Sequence, residues 1–486
     1  MGMAVTKPIV SAAALGVGLT ELQARAIYRQ GEEAVVFALL TQARMIGPSQ
    51  PAASVPPPHT PSGMVPVYAK PTLQGQRGKP PGRPAGHEGA HRAPPQRIDQ
   101  TREHRAPQCP CCGGTLKRGR QTRTRYTEDI PQDIQPVVTE HVIHRDWCPH
   151  CKKHVEPTVG DALPGATIGN RTLVLSAWLH YGLGNTLSQI VEVFNHHLQF
   201  KLTPGGLVQM WHRLADLLYA WYEQIQREAL DSALLHADET GWRVNGKTHW
   251  LWCFSNPDLT YYMIDRSRGS PALLKFFTEA FEGTLVSDFW GAYNAVCCGP
   301  RQKCLVHLLR DLENVEHYHK PDQDWPAFAK TLRRLLRDAI RLWKRDSVPE
   351  SERASKRARL HQRLADLIDA DSRGGSGGGW QHKDARRLVK RLRRHRDELF
   401  TFLDVPGVPF DNNHAERAIR PAVIIRKNSY ANRSDRGADT QAVLMTIYRT
   451  LKQRGHHPLS ILVQAIHTYL TTGQLPPLPE KSTAGG

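Results

Sequence analysis

Apolar and polar positions along this chain follow two different periods. Residues 231–305 alternate as strands do. Leu-Leu-His-Ala-Asp-Glu-Thr-Gly-Trp (234–242) and Leu-Val-Ser-Asp-Phe-Trp-Gly-Ala-Tyr (285–293) each run from apolar residues into an Asp and then a turn-rich stretch. That pattern predicts two strands, ending near Asp238 and Asp288. Between them Lys-Thr-His-Trp-Leu-Trp-Cys-Phe (247–254) and Thr-Tyr-Tyr-Met-Ile-Asp (260–265) flank an Asn-Pro-Asp turn and pair naturally as a meander. Ser270-Pro271 predicts a helix start, with Ser as N-cap and Pro behind it, and Gly283 predicts its end. Asn-Asn-His-Ala-Glu-Arg-Ala-Ile-Arg-Pro (412–421) reads as the start of another helix.

Elsewhere helical spacing and breaker residues set the organisation. Residues 20–45 fit one amphipathic helix with Thr20 and Gln23 in a capping-box pattern, so 1–46 is an N-terminal helical arm. It serves dimerisation or DNA contact, or packs on the body. Residues 47–100 are rich in Pro, Gly and Arg; Pro fixes φ and removes a donor, so a linker without a packed core is predicted. Residues 161–230 are helical. Two helices around Thr-Pro-Gly-Gly (203–206) have the outline of a helix-turn-helix, or form a collar that supports the core. Residues 306–400 are a basic helical insertion. Its clusters are Arg333, Arg334, Arg337, Arg341, Lys344, Arg345 and Arg386, Arg387, Lys390, Arg391, Arg393, Arg394, with a flexible Gly-Gly-Ser-Gly-Gly-Gly break (374–379) between. Residues 401–470 return to helices and rejoin the sheet, and 471–486 read as a disordered tail. The β-β-β-α-β order of 231–305, with an Asp on its first and fourth strands, outlines an RNase H-like core in an α+β multidomain chain.

Charge narrows the partner. The chain has 486 residues and a formal net charge of +18, with a pI near 9.6. Such a balance favours a polyanion, nucleic acid before a membrane surface. The apolar run Ile9–Leu19 is shorter than the roughly 20 residues a membrane helix needs, and no cleavage site follows it. A cytoplasmic, nucleoid-associated protein is expected. There is no Gly-x-x-x-x-Gly-Lys-Ser/Thr loop, so ATP use is not indicated.

Nine cysteines include Cys109-Pro-Cys-Cys112 and Cys148-Pro-His-Cys151. Two C-x-x-C knuckles offer four thiolates for a tetrahedral structural Zn²⁺ within 101–160, with Cys111 as a spare. The basic run between the knuckles, including Lys117, Arg118, Arg120, Arg123 and Arg125, predicts a DNA-contacting hairpin; a purely structural zinc is compatible with it. Cys304-Leu-Val-His307 has no second pair nearby and reads as helix-entry packing.

Asp238, Asp288 and Glu416 each sit at an element end. Hard cations such as Mg²⁺ or Mn²⁺ take carboxylate oxygens and keep positions for phosphate and water. Three carboxylates hold two such ions roughly 3.5–4 Å apart, the spacing of two-metal phosphodiester chemistry. Glu239 falls on the opposite face of its strand and is left as a flanking residue. Each of the three has an ordinary alternative: a turn former for either Asp, a cap or an i,i+4 pair with Arg420 for Glu416. Like charges in a small space are tolerated mainly where cations fill the gap. Arg417, Arg420, Arg426 and Lys427 follow the Glu and are candidates for holding the phosphates of the cut strand.

Asp-Glu-Thr-Gly-Trp-Arg-Val-Asn-Gly-Lys-Thr-His-Trp-Leu-Trp, Ser-Asp-Phe-Trp-Gly-Ala-Tyr, Cys-Leu-Val-His-Leu-Leu-Arg and Asn-Asn-His-Ala-Glu-Arg-Ala-Ile-Arg-Pro together resemble the transposases of the bacterial insertion-sequence-66 family. The Gly-Arg-Pro-Ala-Gly-His linker and the double C-x-x-C module resemble that family's zinc-finger region. The resemblance spans roughly residues 75 to 470. It implies a DDE-type transposase acting on terminal inverted repeats and target DNA, with Asp238, Asp288 and Glu416 as its metal-binding triad. A homo-oligomer assembled on DNA is expected, and the resemblance also implies small companion proteins encoded by the same element. A DNA-binding protein without catalysis, and a structure-specific nuclease that cuts without joining, are the competing classes. The N-terminal arm departs from the family in lacking a long heptad-rich helix, and Cys111 is a second departure.

Overall fold

A five-stranded sheet carries the elements that matter for function. The computed structural model describes residues 95–117, 119, 122–131, 133–318, 324–345, 348–369 and 379–482, with Arg25, Tyr28, Arg29, Gly31 and Val35 singly. The expectations for the N-terminal arm, most of the linker, the Gly-rich break, Arg118 and Arg120 lie outside the described residues.

The first strands, β1 (Asp146–Cys148) and β2 (Lys153–Val155), form a short antiparallel hairpin with Trp147 opposite His154. Helices α1 (Asn170–Ala177), α2 (Leu187–Glu192), α3 (Pro204–Leu217) and α4 (Tyr219–Leu230) follow. The starts of α2 and α3 are written locally. Thr186 and Gln189 form a reciprocal capping box, and Thr203 accepts the Gly206 N–H at 3.2 Å with Pro204 behind it. α1 and α2 each run on into a π-helical turn, Trp178–Gly182 and Val193–His197. α3 turns Leu207, Trp211, Leu214 and Ala215 into the same core that the sheet faces.

The sheet comprises β3 (Leu234–Val244), β4 (Lys247–Ser255), β5 (Thr260–Asp265), β6 (Thr284–Ser287) and β7 (Arg301–Lys303), in the order β5-β4-β3-β6-β7. The meander β3-β4-β5 is antiparallel; β6 and β7 add on parallel. Helix α5 (Ser270–Phe276) crosses from β5 to β6. It departs from expectation at both ends. Its N-cap is Gly269 without a side-chain cap bond, and it stops at Phe276 rather than at Gly283. Phe276 stacks on Phe254 of β4 with centroids 3.8 Å apart, which fixes the helix end over the sheet. Gly283 instead permits a close approach. A Cβ there would collide with the Ser232 carbonyl, so glycine lets the chain entering β6 pass close beside the start of β3. β7 carries no sequence signal, because three residues are too few to show alternation.

Helices α6 (Leu305–Tyr318), α7 (Trp325–Trp343), α8 (Glu350–Asp369), α9 (Lys383–Arg394) and the short α10 (Thr401–Asp404) make up the insertion. They build a second core around Trp325, Phe328, Leu335, Leu364 and Leu388, which reaches the sheet at Val286. Some of its basic charge is neutralised internally. Arg333 pairs with Glu316 at 2.7 Å, Arg363 with Asp338 at 2.9 Å, and Arg391 with Asp311. The chain then returns through α11 (Asn413–Ser429), α12 (Asp435–Gln453) and α13 (Pro458–Thr472).

The chain end corrects an expectation. The tail read as disordered over 471–486 begins inside α13, which runs to Thr472, and Leu478 is buried. The Pro476 carbonyl accepts the Trp221 indole N–H at 2.7 Å and the Pro479 carbonyl accepts Arg454 at 2.8 Å. A proline-rich segment has few donors, but its carbonyls find partners on the helices beneath it. Among the described residues no helix is long and apolar enough to cross a membrane.

Candidate active site

Alternation along β3 sends His236, Asp238, Thr240 and Trp242 to one face and Ala237 and Glu239 to the other. The first face receives α11. At the helix start, Asn412 places its Oδ1 3.1 Å from His236 Nδ1 and donates through Nδ2 to the Ala237 carbonyl at 2.8 Å. Further along, Arg426 donates to Thr240 Oγ1 at 3.1 Å and to the Gly241 carbonyl. Beyond the helix, the Trp242 indole N–H donates to Asn432 Oδ1 at 2.7 Å. The helix is therefore tied along β3 at three points, with Asp238 between the first two.

Asp288 comes from the neighbouring strand. The parallel register sets His236 opposite Val286. Carried two residues further, the same register brings Asp238 level with Asp288, just past the end of β6. Asp288 Oδ1 accepts the Trp290 N–H at 2.8 Å, which orients the carboxylate. Glu416 lies in the first turn of α11. The capping explanation for it does not hold: the N-cap is Asn412, no side-chain cap bond forms, and the Asn412 amide is committed to β3. Glu416 Oε1 is buried and has no hydrogen-bond partner among the described residues; His307 Nε2 stands 4.0 Å away.

The electrostatics tie the three together. Burial first, then the charges of Glu239, Asp288 and Glu416, push the Asp238 carboxyl well above the usual carboxylate range; the Glu239 N–H, donating to Asp238 Oδ1 at 2.9 Å, opposes this in part. The side chains are gathered without closing on one point: among the described residues no group of three or more His, Cys, Asp or Glu is arranged to hold a metal ion. The orphaned Glu416 oxygen and the mutual repulsion at Asp238 are nevertheless the donor chemistry that a hard cation satisfies.

Several residues around this cluster carried no sequence signal. Glu239, on the other face, accepts Arg268 Nη2 at 2.9 Å and Nε at 3.1 Å, and Tyr293 donates its hydroxyl to the second oxygen at 2.7 Å. The Arg268 guanidinium lies between the rings of Trp250 (4.4 Å) and Trp290 (3.9 Å). Burial and the nearby Asp288 push the Glu239 carboxyl up to about 7, against the pull of Tyr293 and Arg268. Lys303 of β7 is buried and donates to Ser287 Oγ at 3.0 Å and to the Asp288 carbonyl at 3.1 Å; burial lowers its pKa. Arg268 and Lys303 thus brace the Asp288 turn from two sides. Alternation had already separated Glu239 from Asp238, but nothing in the sequence announced its partners. Cys304 is buried at the entry to α6, where it accepts the Asn412 N–H at 3.2 Å.

The basic residues divide. Arg417, Arg420 and Lys427 are exposed along α11. Arg426 is half-buried, and its Nη1 bonds to Thr240 Oγ1 and the Gly241 carbonyl, so it ties the helix to β3.

In the cysteine module each knuckle is formed on its own. Gly113 donates its N–H to the Cys109 carbonyl at 2.8 Å, Cys109 donates to the Gly114 carbonyl at 3.0 Å, and the Cys151 N–H donates to Cys148 Sγ at 3.4 Å. Hydrogen bonds from the backbone of Cys111 and Cys112 lower the Cys109 pKa, and the Cys151 backbone does the same at Cys148. Thiolates stabilised in this way are suited to a soft cation such as Zn²⁺. Lys117, Arg123 and Arg125 are exposed on the chain between the knuckles.

Residues 165–440, more than half of the chain, match the family model described as "Transposase IS66 family". Residues 107–152 match that described as "zinc-finger binding domain of transposase IS66". Two proteins of Sinorhizobium fredii are similar. "Uncharacterized protein y4qI" is 27% identical over 297 residues, covering 56% of this chain and 51% of that protein. "Uncharacterized protein y4hP" is 21% identical over 397 residues, covering 74% of this chain and 70% of that protein. The chain thus spans about half the length of the first of them.

Proposed function

The chain belongs to the IS66 transposase family and carries that family's zinc-finger domain, and from this premise we propose that it is a DDE transposase with an RNase H-like core. It binds terminal inverted repeats and target DNA and performs divalent-metal-dependent strand cleavage and strand transfer. The strand order β5-β4-β3-β6-β7, with β6 and β7 parallel to the central strand, supports the assignment of the core. One observation carries the chemistry: the β3–β6 register sets Asp238 level with Asp288, and Glu416, in the first turn of the helix tied to the same face of β3, keeps a buried carboxylate oxygen without a hydrogen-bond partner among the described residues.

Asp238, Asp288 and Glu416 would hold Mg²⁺ or Mn²⁺. When bound, such ions supply a low-pKa water nucleophile and charge stabilisation at the departing oxygen. The protein's own part is positional. The β3–β6 register sets two carboxylates level, and Asn412 and Arg426 hold α11, which carries the third, against β3. Trp290 holds the Asp288 carboxylate through its N–H. Arg417, Arg420 and Lys427 steady the phosphates on the same helix. Hydrolysis of one phosphodiester leaves a 3′-hydroxyl at the element's end. That hydroxyl then attacks a target phosphodiester; a new 3′-oxygen–phosphorus bond forms and the target strand departs with its own 3′-hydroxyl. Cys109, Cys112, Cys148 and Cys151 would hold a structural Zn²⁺ beside the basic run that includes Lys117, Arg123 and Arg125. A homo-oligomer on DNA, small companion proteins of the same element, and a cytoplasmic, nucleoid-associated location complete the reading.

Strand transfer of pre-cleaved end DNA tests it, with Asp288→Asn beside the wild type. Full loss of joined product with end binding retained is expected. Equal activity in the two would remove Asp288 from the mechanism, and cleavage without joining by the wild type would make the protein a nuclease.

A further inference from the structure

At the far end of α11 the backbone takes a conformation that normally belongs to glycine. Tyr430 has φ 56° and Ala431 has φ 71°, two consecutive side chains in the left-handed region. The segment is held there firmly. Tyr430 donates its N–H to the Arg426 carbonyl at 3.0 Å. Asn432 then bonds to the tip of the β3–β4 hairpin from both sides: its N–H donates to the Arg243 carbonyl at 3.1 Å and its carbonyl accepts the Asn245 N–H at 3.0 Å. Its side chain accepts the Trp242 indole at 2.7 Å and donates to the Gly437 carbonyl at 3.1 Å. The turn closes α11, and these bonds hold the side chains on it in fixed positions.

What the turn displays is a ring. Tyr430 is 87% exposed, more than any other Phe, Tyr or Trp among the described residues. Lys427 and Arg433 flank it in the chain, and Arg243 and Lys247 flank the hairpin turn that Asn432 grips; all four are exposed. Asp435 is the acidic residue nearest in sequence to this group. A solvent-facing aromatic ring within a set of cations, on a backbone that is already rigid, fits DNA: cations meet phosphates and the ring meets a base face.

We infer that this tip is a second DNA contact, in which Arg433, Arg243 and Lys247 hold the backbone of the element's end, Lys427 joins it to the phosphate contacts along α11, and Tyr430 stacks against a base step inside it. The inference rests on the proposed transposase reading for the identity of the duplex, and it adds a sequence-tolerant clamp at a set distance from the cut. At 1.5 Å rise per residue, α11 places Tyr430 about 20 Å from Glu416, roughly six base pairs of duplex.

The test uses the full chain carrying Asp288→Asn, so that binding is read apart from chemistry. The probe is a duplex spanning the terminus of the encoding element, with 2-aminopurine placed singly at successive positions inward from the cut. Tyr430→Ala is expected to weaken binding roughly 5- to 100-fold, as loss of one stacked base predicts, with the dependence on salt unchanged. Tyr430→Phe and Tyr430→Trp should bind as the parent does. Arg433→Ala should reduce the slope of log affinity against log salt by about one. The fluorescence change should peak about six pairs inward and vanish in Tyr430→Ala. Tyr430→Gly, which relieves the backbone strain, should lose affinity without lowering the melting temperature. Parent-like binding by Tyr430→Ala, or an equal loss in Tyr430→Phe, overturns the inference. So does a loss of self-association without DNA, which would make the tip an interface between copies. Absence of strand transfer by the wild type, with these binding effects intact, would sink the transposase reading and leave the clamp standing.

Discussion

At the scale of single residues, the carboxylate cluster makes opposing demands on protons and cations. Asp238 holds its proton more tightly in the folded chain than in the unfolded one. In metal-free protein this group therefore favours the fold at low pH, and the contribution is lost as pH rises through the folded pKa. A divalent cation competes with that proton. Mg²⁺ should raise the melting temperature more at about pH 8 than at about pH 6, and the increment should shrink in Asp238→Asn. An increment independent of pH, or unchanged in the variant, would place the ion elsewhere. Arg268 makes a second demand. Its removal leaves Glu239 buried beside Asp288 with Tyr293 as its remaining partner. Arg268→Ala should cost roughly 3–5 kcal/mol in urea unfolding, and Arg268→Lys less, since the ammonium keeps the charge but not the fork between two indoles. The three acidic positions were legible only as candidates: Asp288 follows β6 and Glu416 lies in the first turn of α11, but Asp238 falls inside β3, which was expected to end there and instead runs on to Val244 paired with β4. The Arg268 brace was not: its partners Trp250, Glu239, Trp290 and Tyr293 come from separate segments, and no periodicity relates them.

At the scale of elements, α11 is held to the sheet by polar contacts as well as packing. Asn412 joins it to β3 at one end, and Arg426 near the other. Asn412→Ala removes the bond to the Ala237 carbonyl and leaves buried His236 without that neighbour, at a cost of roughly 1–3 kcal/mol. Strand transfer should fall with it, because the first turn that carries Glu416 loses its anchor; unchanged activity would mean that packing alone sets the helix. The meander β3-β4-β5 was readable from alternation over long runs. β7 and the two π-helical turns were not, since three to five residues leave no pattern. The bonds of Arg426 to β3 were not legible either: a helical sequence marks a cation but not the face it takes.

At the scale of the molecule, two hydrophobic cores and a separate cysteine module divide the work. The module's described residues before Leu163 join neither core. Cys148→Ser should therefore abolish stoichiometric zinc, read by metal analysis, while the main unfolding transition keeps its midpoint; a lowered midpoint would show that the module props the body. The net charge of +18 directs attention to a polyanion, as the proposed function does. It overstated what the insertion has to offer, because Arg333, Arg363 and Arg391 are spent on acidic neighbours within the protein. Net charge is a sum over the chain and contains no information about pairing.

The insertion between Asp288 and Glu416 also sets an order in time. Synthesis runs from the N-terminus, so the sheet with its first two acidic positions leaves the ribosome long before α11 does. On the proposed trio, a nascent or prematurely terminated chain lacks its last ligand until five more helices have been made. On the proposed function, competence to cut DNA then arrives late in translation, and broken messages yield inert fragments.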